Sequence, residues 1–313
     1  MDDTTIRIDV SNTLADIGRD AWDQVANPSH LPFDPFLSWD FLDALETTGA
    51  AVPETGWNPC HLTVKGPDGT LRGAMPLYAK THSQGEFVFD HSWASALENA
   101  GGHYYPKLLC AVPFTPATGR RLLVSDGPEA DRLRLSLLSG AIQIASDNGF
   151  SSLHINFLPG ESAERLAETG LLHRTDQQFH WQNQGYESFD DFLAALSSAK
   201  RKNLRKERLK AQAGLTFEHL TGDAITEAHW DAFYAFYMDT GARKWGSPYL
   251  NRETFSLLSE RMADKLLLVF ARDEGRPIAG ALNLIGSDTL FGRYWGCLDA
   301  RPMLHFEVCY YQA

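Results

Sequence analysis

Seven lysines and arginines stand between Lys200 and Lys210 against one acid, Glu207, in a chain of 313 residues with a formal net charge of −12. Within that run Arg201, Arg205 and Arg208 recur at helical spacing, and guanidinium groups stacked this way can grip phosphate oxygens two at a time. A solvated helix face would show the same pattern. A second chemical place is "TLFGRYWGC", where Arg293 and Tyr294 lie between Phe291 and Trp295. A charge among apolar strand residues is costly unless it meets an anion or a carboxylate. The stretch "RKWGSPYL" sets Arg243, Lys244, Trp245 and Tyr249 in a loop between helices, where a lid or ligand contact is expected. Cys60, Cys110, Cys297 and Cys309 are scattered without CxxC or Cys/His spacing, so buried reduced thiols are expected. There is no metal-ligand spacing, Ser/His/Asp arrangement or phosphate-binding P-loop motif.

The elements that must carry these residues read as a mixed α/β architecture. Helical periodicity marks 36–45, 132–144, 189–211, 230–237 and 255–262. Strand patterns occupy "CHLTV", "AMPLYAK", "EFVFDHSW", "SLHINFL", "QFHWQN", "LTFEHL", "LLLVFAR", "IAGALNLI" and "TLFGRYWGC". Two stretches roughly 200 residues apart follow one order. The first runs from helix "LSWDFLDALE" to strand "CHLTVKG", the turn Asp68-Gly69 and a strand opening at Gly73-Ala74. The second runs from "TFSLLSERMA" to "LLLVFAR", Glu274-Gly275 and Gly280-Ala281. Each is expected to continue into an aromatic strand, "EFVFDHSW" or "TLFGRYWG", with His91 matching Arg293 and Trp93 matching Trp295.

The basic run belongs to one long amphipathic helix, opened by Ser188 with Asp191 and closed by Gly214, with Phe189, Leu193, Leu196, Leu204 and Ala211 on its core stripe. The expected organisation is therefore a unit over 1–185, a linking basic helix over 186–214 and a second unit over 215–313. No apolar run approaches the ~18 residues of a membrane span, so no membrane insertion is expected. The opening "MDDTTIRIDV" lacks a signal-peptide layout, which points to the cytoplasm.

A repeated helix-strand-strand-strand unit resembles the core of the GNAT acyltransferase fold. Two units joined by a basic helix are similar to the Fem-type aminoacyl and peptidyl transferases of peptidoglycan synthesis. The motifs "FDHSWA", "YYPKLLCAVPFTP", "HINFL", "QFHWQN", "KRKNLRKER", "RKWGSPYL", "GALNLIG", "GRYWGC" and "LHFEVCYYQA" resemble the FemAB-like predicted N-acyltransferases along nearly the whole chain. The resemblance implies two tandem GNAT-like units, the second ending within the helix after its third strand and so lacking its C-terminal end.

It also implies transfer of an acyl or aminoacyl group from CoA, aminoacyl-tRNA or another carrier to an amine, by direct aminolysis. The acceptor would be a small molecule or a cell-wall precursor. No metal or permanently bound cofactor is expected, and the acyl carrier is a co-substrate. In such folds a backbone amide at a strand bulge holds the carbonyl, and Gly292, Gly296, Gly73 or Gly280 could mark one. The usual glycine-rich pyrophosphate loop is not evident in "LDARPMLHFE", which favours a donor other than acetyl-CoA. The catalytic candidates are then Arg293 and Tyr294, with His305 and Glu307 as proton relays. His91, His103, Tyr104, Tyr105, Lys107, Lys244, Trp245 and Tyr249 are substrate-binding candidates, with Lys107 contacting an anionic acceptor. Arg201, Arg205 and Arg208 would hold donor phosphates. The alternative is a non-catalytic tRNA- or nucleotide-binding module whose main site is the basic helix.

Overall fold

A computed structural model describes residues 6–243 and 248–313. The chain divides into two compact units. The first takes residues up to 169 together with Tyr249–Met262 and Gly286–Thr289. The second takes Gly170–Pro248, Ala263–Ile285 and Leu290–Ala313. The basic segment thus lies inside the second unit, while the helix "TFSLLSERMA" lies inside the first.

The first unit contains β1 (Ile8–Ser11), α1 (Leu14–Ile17), α2 (Arg19–Ala26), α3 (Trp39–Thr47), β2 (Trp57–Pro59), β3 (His61–Lys65), β4 (Leu71–Met75) and β5 (Leu77–Lys80). It continues through α4 (His91–Asn99), β6 (Lys107–Cys110), β7 (Leu123–Val124), α5 (Ala130–Asp147), β8 (Leu153–Ile155) and α6 (Gly160–Ala167). One sheet has the order β1-β3-β4-β7, the other β2-β5-β6-β8. Within the second sheet β6 and β8 run parallel. Pro76, which has no N–H to give a ladder, marks the step from β4 into β5 and hence from one sheet to the other. Leu133, Leu137, Ala141 and Ala145 recur every fourth residue on α5 and pack on Leu62, Val64, Met75, Leu77, Leu108 and Cys110. That single helical stripe closes the core of both sheets.

The second unit contains α7 (Phe189–Ala195), α8 (Ser198–Gln212), β9 (Leu215–Leu220) and α9 (Glu227–Arg243). After α10 (Arg252–Met262), which belongs to the first unit, come β10 (Leu266–Asp273), β11 (Arg276–Ile285), β12 (Leu290–Cys297) and the short α11 (Leu304–Phe306). A π-helical turn continues α11 over Glu307–Tyr311. The sheet order is β9-β10-β11-β12, antiparallel throughout. Both central residues of the β10–β11 turn, Glu274 and Gly275, have positive φ, as a tight two-residue hairpin requires. Val269, Ala271, Ile278, Ala279 and Ala281 pack on Leu304 and Val308.

The repeat holds for its first elements and fails at the third strand. In both stretches of the chain a helix, α3 or α10, precedes two antiparallel strands joined by a tight turn. "EFVFDHSW", however, forms no strand: Glu86–Asp90 is irregular and His91 opens α4. Glu86 and Asp90 face inward and Phe89 is 74% exposed, as alternation predicts, but Phe87 has φ +56°, a left-handed conformation that interrupts an extended strand. The third strand on β4 is β7, reached after an excursion that builds the second sheet. The matches His91–Arg293 and Trp93–Trp295 are therefore withdrawn. "QFHWQN" is likewise irregular, with Phe179 and Trp181 exposed.

The single helix expected over 189–211 is broken in two. Leu196 is extended (ψ 154°), and the Ser197 side chain caps α8 by accepting from the Lys200 amide. Ser188 caps α7 in the same way, accepting from Asp191. In the first unit α10 lies against α3. The Arg261 guanidinium donates to Asp43 at 2.6 Å, and the Thr254 and Thr48 hydroxyls are 2.9 Å apart.

Candidate functional site

The sheet β2-β5-β6-β8 has two unlike faces. Strand alternation sends Leu77, Leu108 and Cys110 toward α5. The register Trp57–Lys80–Lys107 across β2, β5 and β6 puts those three residues on the other face. Both lysines are fully buried. Lys107 Nζ donates to Ser83 Oγ at 2.8 Å, Glu86 Oε2 at 2.9 Å and Asp90 Oδ2 at 2.6 Å. Tyr104 donates to Asp90 Oδ2 at 2.8 Å, and the Tyr105 and Ser83 hydroxyls are 2.8 Å apart. Lys80 Nζ stands 3.7 Å from the centroid of the Trp57 ring.

The electrostatics follow from burial and from these partners. Burial pushes the Glu86 carboxyl up, opposed by Lys107. Burial pushes Asp90 the same way, but hydrogen bonds from Lys107, Ser83 and Tyr104 win and bring it down to about 2. The Lys80 ammonium is lowered by burial to about 7, with Glu86 opposing and Lys107 assisting. Tyr104 is raised by burial and by its bond to Asp90.

Of the substrate-binding candidates, Tyr104, Tyr105 and Lys107 converge here. An ammonium has three hydrogens, and Lys107 spends all three on Ser83, Glu86 and Asp90. It has no donor left for an anionic acceptor, so that expectation is corrected. His91 and His103 are exposed. Tyr249 stacks on Phe114 at 5.1 Å. Lys244 and Trp245 lie outside the described residues. Sequence reasoning missed Lys80, Ser83 and Glu86. The only available signal was the pairing of two lysines across strands, and that register becomes visible only once β5 and β6 are aligned.

In the second unit the register of β11 with β12 pairs Leu282 with Tyr294 and Asn283 with Gly292. Arg293 is the extra residue of a β-bulge, opposite no residue of β11. Its guanidinium lies 4.8 Å from the centroid of the Tyr294 ring, which packs edge-on against Tyr237 at 5.3 Å. Exposed His305 packs against Trp295 at 5.2 Å. Gly296 is no bulge. A Cβ there would fall 2.2 Å from the Phe236 carbonyl oxygen, so this glycine lets β12 touch the backbone of α9.

Glu307 is 1% exposed and accepts from Arg208 at 2.7 and 2.9 Å, from Gln212 at 2.8 Å and from Gln312 at 2.7 Å. Burial opposes its ionisation, but these donors hold its carboxyl below the usual range. Arg208 also lies over the Phe189 ring at 4.0 Å. Arg208 therefore does not share a phosphate-binding row with Arg201 and Arg205. Those two, with Ser198 and Lys202, line an open surface of α8.

The fold and these sites define a mixed α/β protein built on a repeated helix-strand-turn-strand core. The chain belongs to the FemAB-like family, described as peptidoglycan biosynthesis/recognition, whose profile matches residues 13–313. No curated protein matches the sequence at a significant level. Solved structures similar to it include a tandem GNAT protein from the clavulanic acid biosynthesis pathway, at 11% identity and TM-score 0.41, covering 96% of this chain and 83% of that one. Another is L-PGS from Bacillus licheniformis, at 10% identity and TM-score 0.41, covering 87% of this chain and 68% of that one. A third is the glucosamine N-acetyltransferase region of a fungal multi-domain GH3 β-N-acetylglucosaminidase, at 13% identity and TM-score 0.35, covering 89% of this chain and 28% of that one. Among the described residues no helix is long and apolar enough to cross a membrane.

Proposed function

We propose that the chain is an N-acyltransferase that moves an acyl or aminoacyl group onto an amine by direct aminolysis. Membership of a peptidoglycan-related family supports this reading. The observation that carries the chemistry is the bulge at Arg293 on β12. Bulges recur beside active sites, where they re-aim a strand toward a ligand, and a backbone amide there can donate to a carbonyl oxygen as that oxygen gains negative charge. The amine nitrogen attacks the carbonyl carbon of the donor, a C–N bond forms, and the C–S or C–O bond to the carrier breaks. The attacking nitrogen loses a proton and the leaving group gains one. We assign the carriage of that proton to His305, which is exposed and packs on Trp295. Glu307 is committed to Arg208 and is assigned an anchoring role instead. The Arg293 guanidinium offers its charge to an anionic part of the donor, and Tyr294 forms the adjoining wall.

The donor is an acyl-CoA, an aminoacyl-tRNA or another carrier, and the acceptor amine belongs to a small molecule or a peptidoglycan precursor. The test is incubation with acyl-CoAs and charged tRNAs in the presence of amine acceptors. Amine-dependent donor consumption is expected; Arg293→Ala, which keeps the backbone amide and removes the guanidinium, should raise the KM for the donor on the order of tenfold with kcat nearly unchanged. Donor consumption with no amine would sink the proposal, as would none in any combination. A second reading, a nucleic-acid-binding module, draws on the open surface lined by Arg201, Lys202 and Arg205. It requires binding that weakens steeply with salt and is lost when these residues are reversed in charge.

A further inference from the structure

The polar face of the sheet β2-β5-β6-β8 has hydrogen-bonding groups that the protein itself does not use. Glu86 Oε1 and Asp90 Oδ1 are buried and have no hydrogen-bond partner. The second oxygen of each is taken by Lys107, so two carboxylates flank one ammonium and each leaves an acceptor idle. On the same face Trp57 Nε1 and Tyr78 OH are also buried without a partner, as is Asn156 Nδ2 just past β8 at the other edge of the sheet. Trp57 is 1% exposed, Tyr78 0% and Asn156 8%. Buried polar atoms in folded proteins nearly always have partners, and a group of them on one face calls for an occupant. Each idle carboxylate oxygen carries a desolvation cost larger than that of a neutral group.

The chemistry of the idle atoms selects the occupant. The acceptors are carboxylate oxygens; Lys107 between them is saturated, and burial lowers the neighbouring Lys80 to about 7, so above that pH no cation is left there to hold an anion. A second ammonium finds two acceptors, beside the Tyr104 and Tyr105 rings that already face Lys107 Nζ at 5.3 and 5.7 Å from their centroids. Trp57 N–H, on β2 beside Lys80, is a donor for an oxygen of the same molecule.

The helical part of the covering segment, α4, is lightly held. α4 buries only Ala94 along its length. Gly85 (φ +79°) and Phe87 (φ +56°) flank Glu86, and Gly101 (φ +84°) follows the far end of the helix. Segments with few buried apolar contacts open at low free energy.

We infer that this face of the first unit is a binding site for a small primary ammonium ligand bearing a nearby oxygen, held by Glu86 and Asp90 beneath the 81–103 segment. The inference does not rest on acyl transfer, because binding is read without any donor present.

The experiment is calorimetric titration of the full chain with ethanolamine, ethylene glycol and glycolate, three probes of similar size that differ in charge. Ethanolamine is expected to bind with one-to-one stoichiometry and the other two are not. Glu86→Gln and Asp90→Asn should each weaken ethanolamine by about tenfold or more, while Asp131→Asn, on the exposed side of α5, leaves it unchanged. Amide exchange of residues 81–103 in the unaltered protein should slow when ethanolamine is added, which keeps the test valid if either variant folds poorly. Absence of ethanolamine binding overturns the inference. So does equal binding of ethylene glycol, which would mean a water-filled polar pocket, and so does preference for glycolate.

Discussion

Lys107 Nζ lies 2.6 Å from Asp90 Oδ2, 17 residues away in sequence, and neither side chain reaches solvent. With Glu86 on the other side of the same ammonium, the sheet face is organised around one buried cation. Lys107→Met should destabilise the first unit by roughly 3–5 kcal/mol, because two buried carboxylates lose their counter-charge. The triple variant Lys107→Met, Glu86→Gln, Asp90→Asn should recover part of that loss in urea unfolding. A single variant as stable as the unaltered protein would remove the cluster from any structural role.

Lys80 makes stability depend on pH on the alkaline side. Burial holds its ammonium near 7, against 10.5 as the ordinary value. Between those values the unfolded chain binds the proton and the native chain does not, so stability rises with pH. This contribution should grow from about pH 7 to about pH 10 and vanish in Lys80→Met. Denaturant midpoints measured across that range check it, and an unchanged slope in the variant would refute it.

The three arginines singled out in the basic segment should behave as two classes. Arg208 is bound bidentately to buried Glu307, so Arg208→Ala should cost roughly 3–5 kcal/mol. Arg201→Glu and Arg205→Glu, on the open face, should change stability by no more than about 0.5 kcal/mol. Any affinity for a short oligonucleotide, followed by salt titration, should fall with those two variants.

Gly296→Ala should destabilise the second unit by about 3 kcal/mol or prevent β12 from seating. The added Cβ meets Phe236 backbone atoms at 2.2 and 2.4 Å, and backbone cannot rotate away as a side chain can. Gly292→Ala meets only the Asn283 Oδ1 atom at 3.5 Å and should be mild. Comparing the two melting temperatures separates close packing from the bulge that follows Gly292.

Much of the fold was legible in the sequence because it is written locally. The period of α5, the Glu274-Gly275 hairpin and the apolar strands β10 and β11 are set by residues within a few positions of one another. Arg293, the bulge residue of β12, stood out for the same reason, as a charge embedded among strand aromatics. The errors fall where a distant partner overrides a local pattern. "EFVFDHSW" alternates like a strand, but Glu86 and Asp90 are drawn to Lys107, and the free energy of pairing a buried charge exceeds any strand propensity. Likewise Arg208 looked like one tooth of a basic row until Glu307, 99 residues away, claimed it.

By itself the sequence determined the mixed α/β class, the repeated helix-strand-turn-strand order and a set of polar residues marked by spacing alone. Tertiary structure alone decided which of them meet: Lys80 and Lys107 side by side across β5 and β6, and Glu86 and Asp90 folded over them. Which charges are buried together depends on strand register and on the path of the covering segment. Both are settled by long-range packing, which no local window of residues encodes.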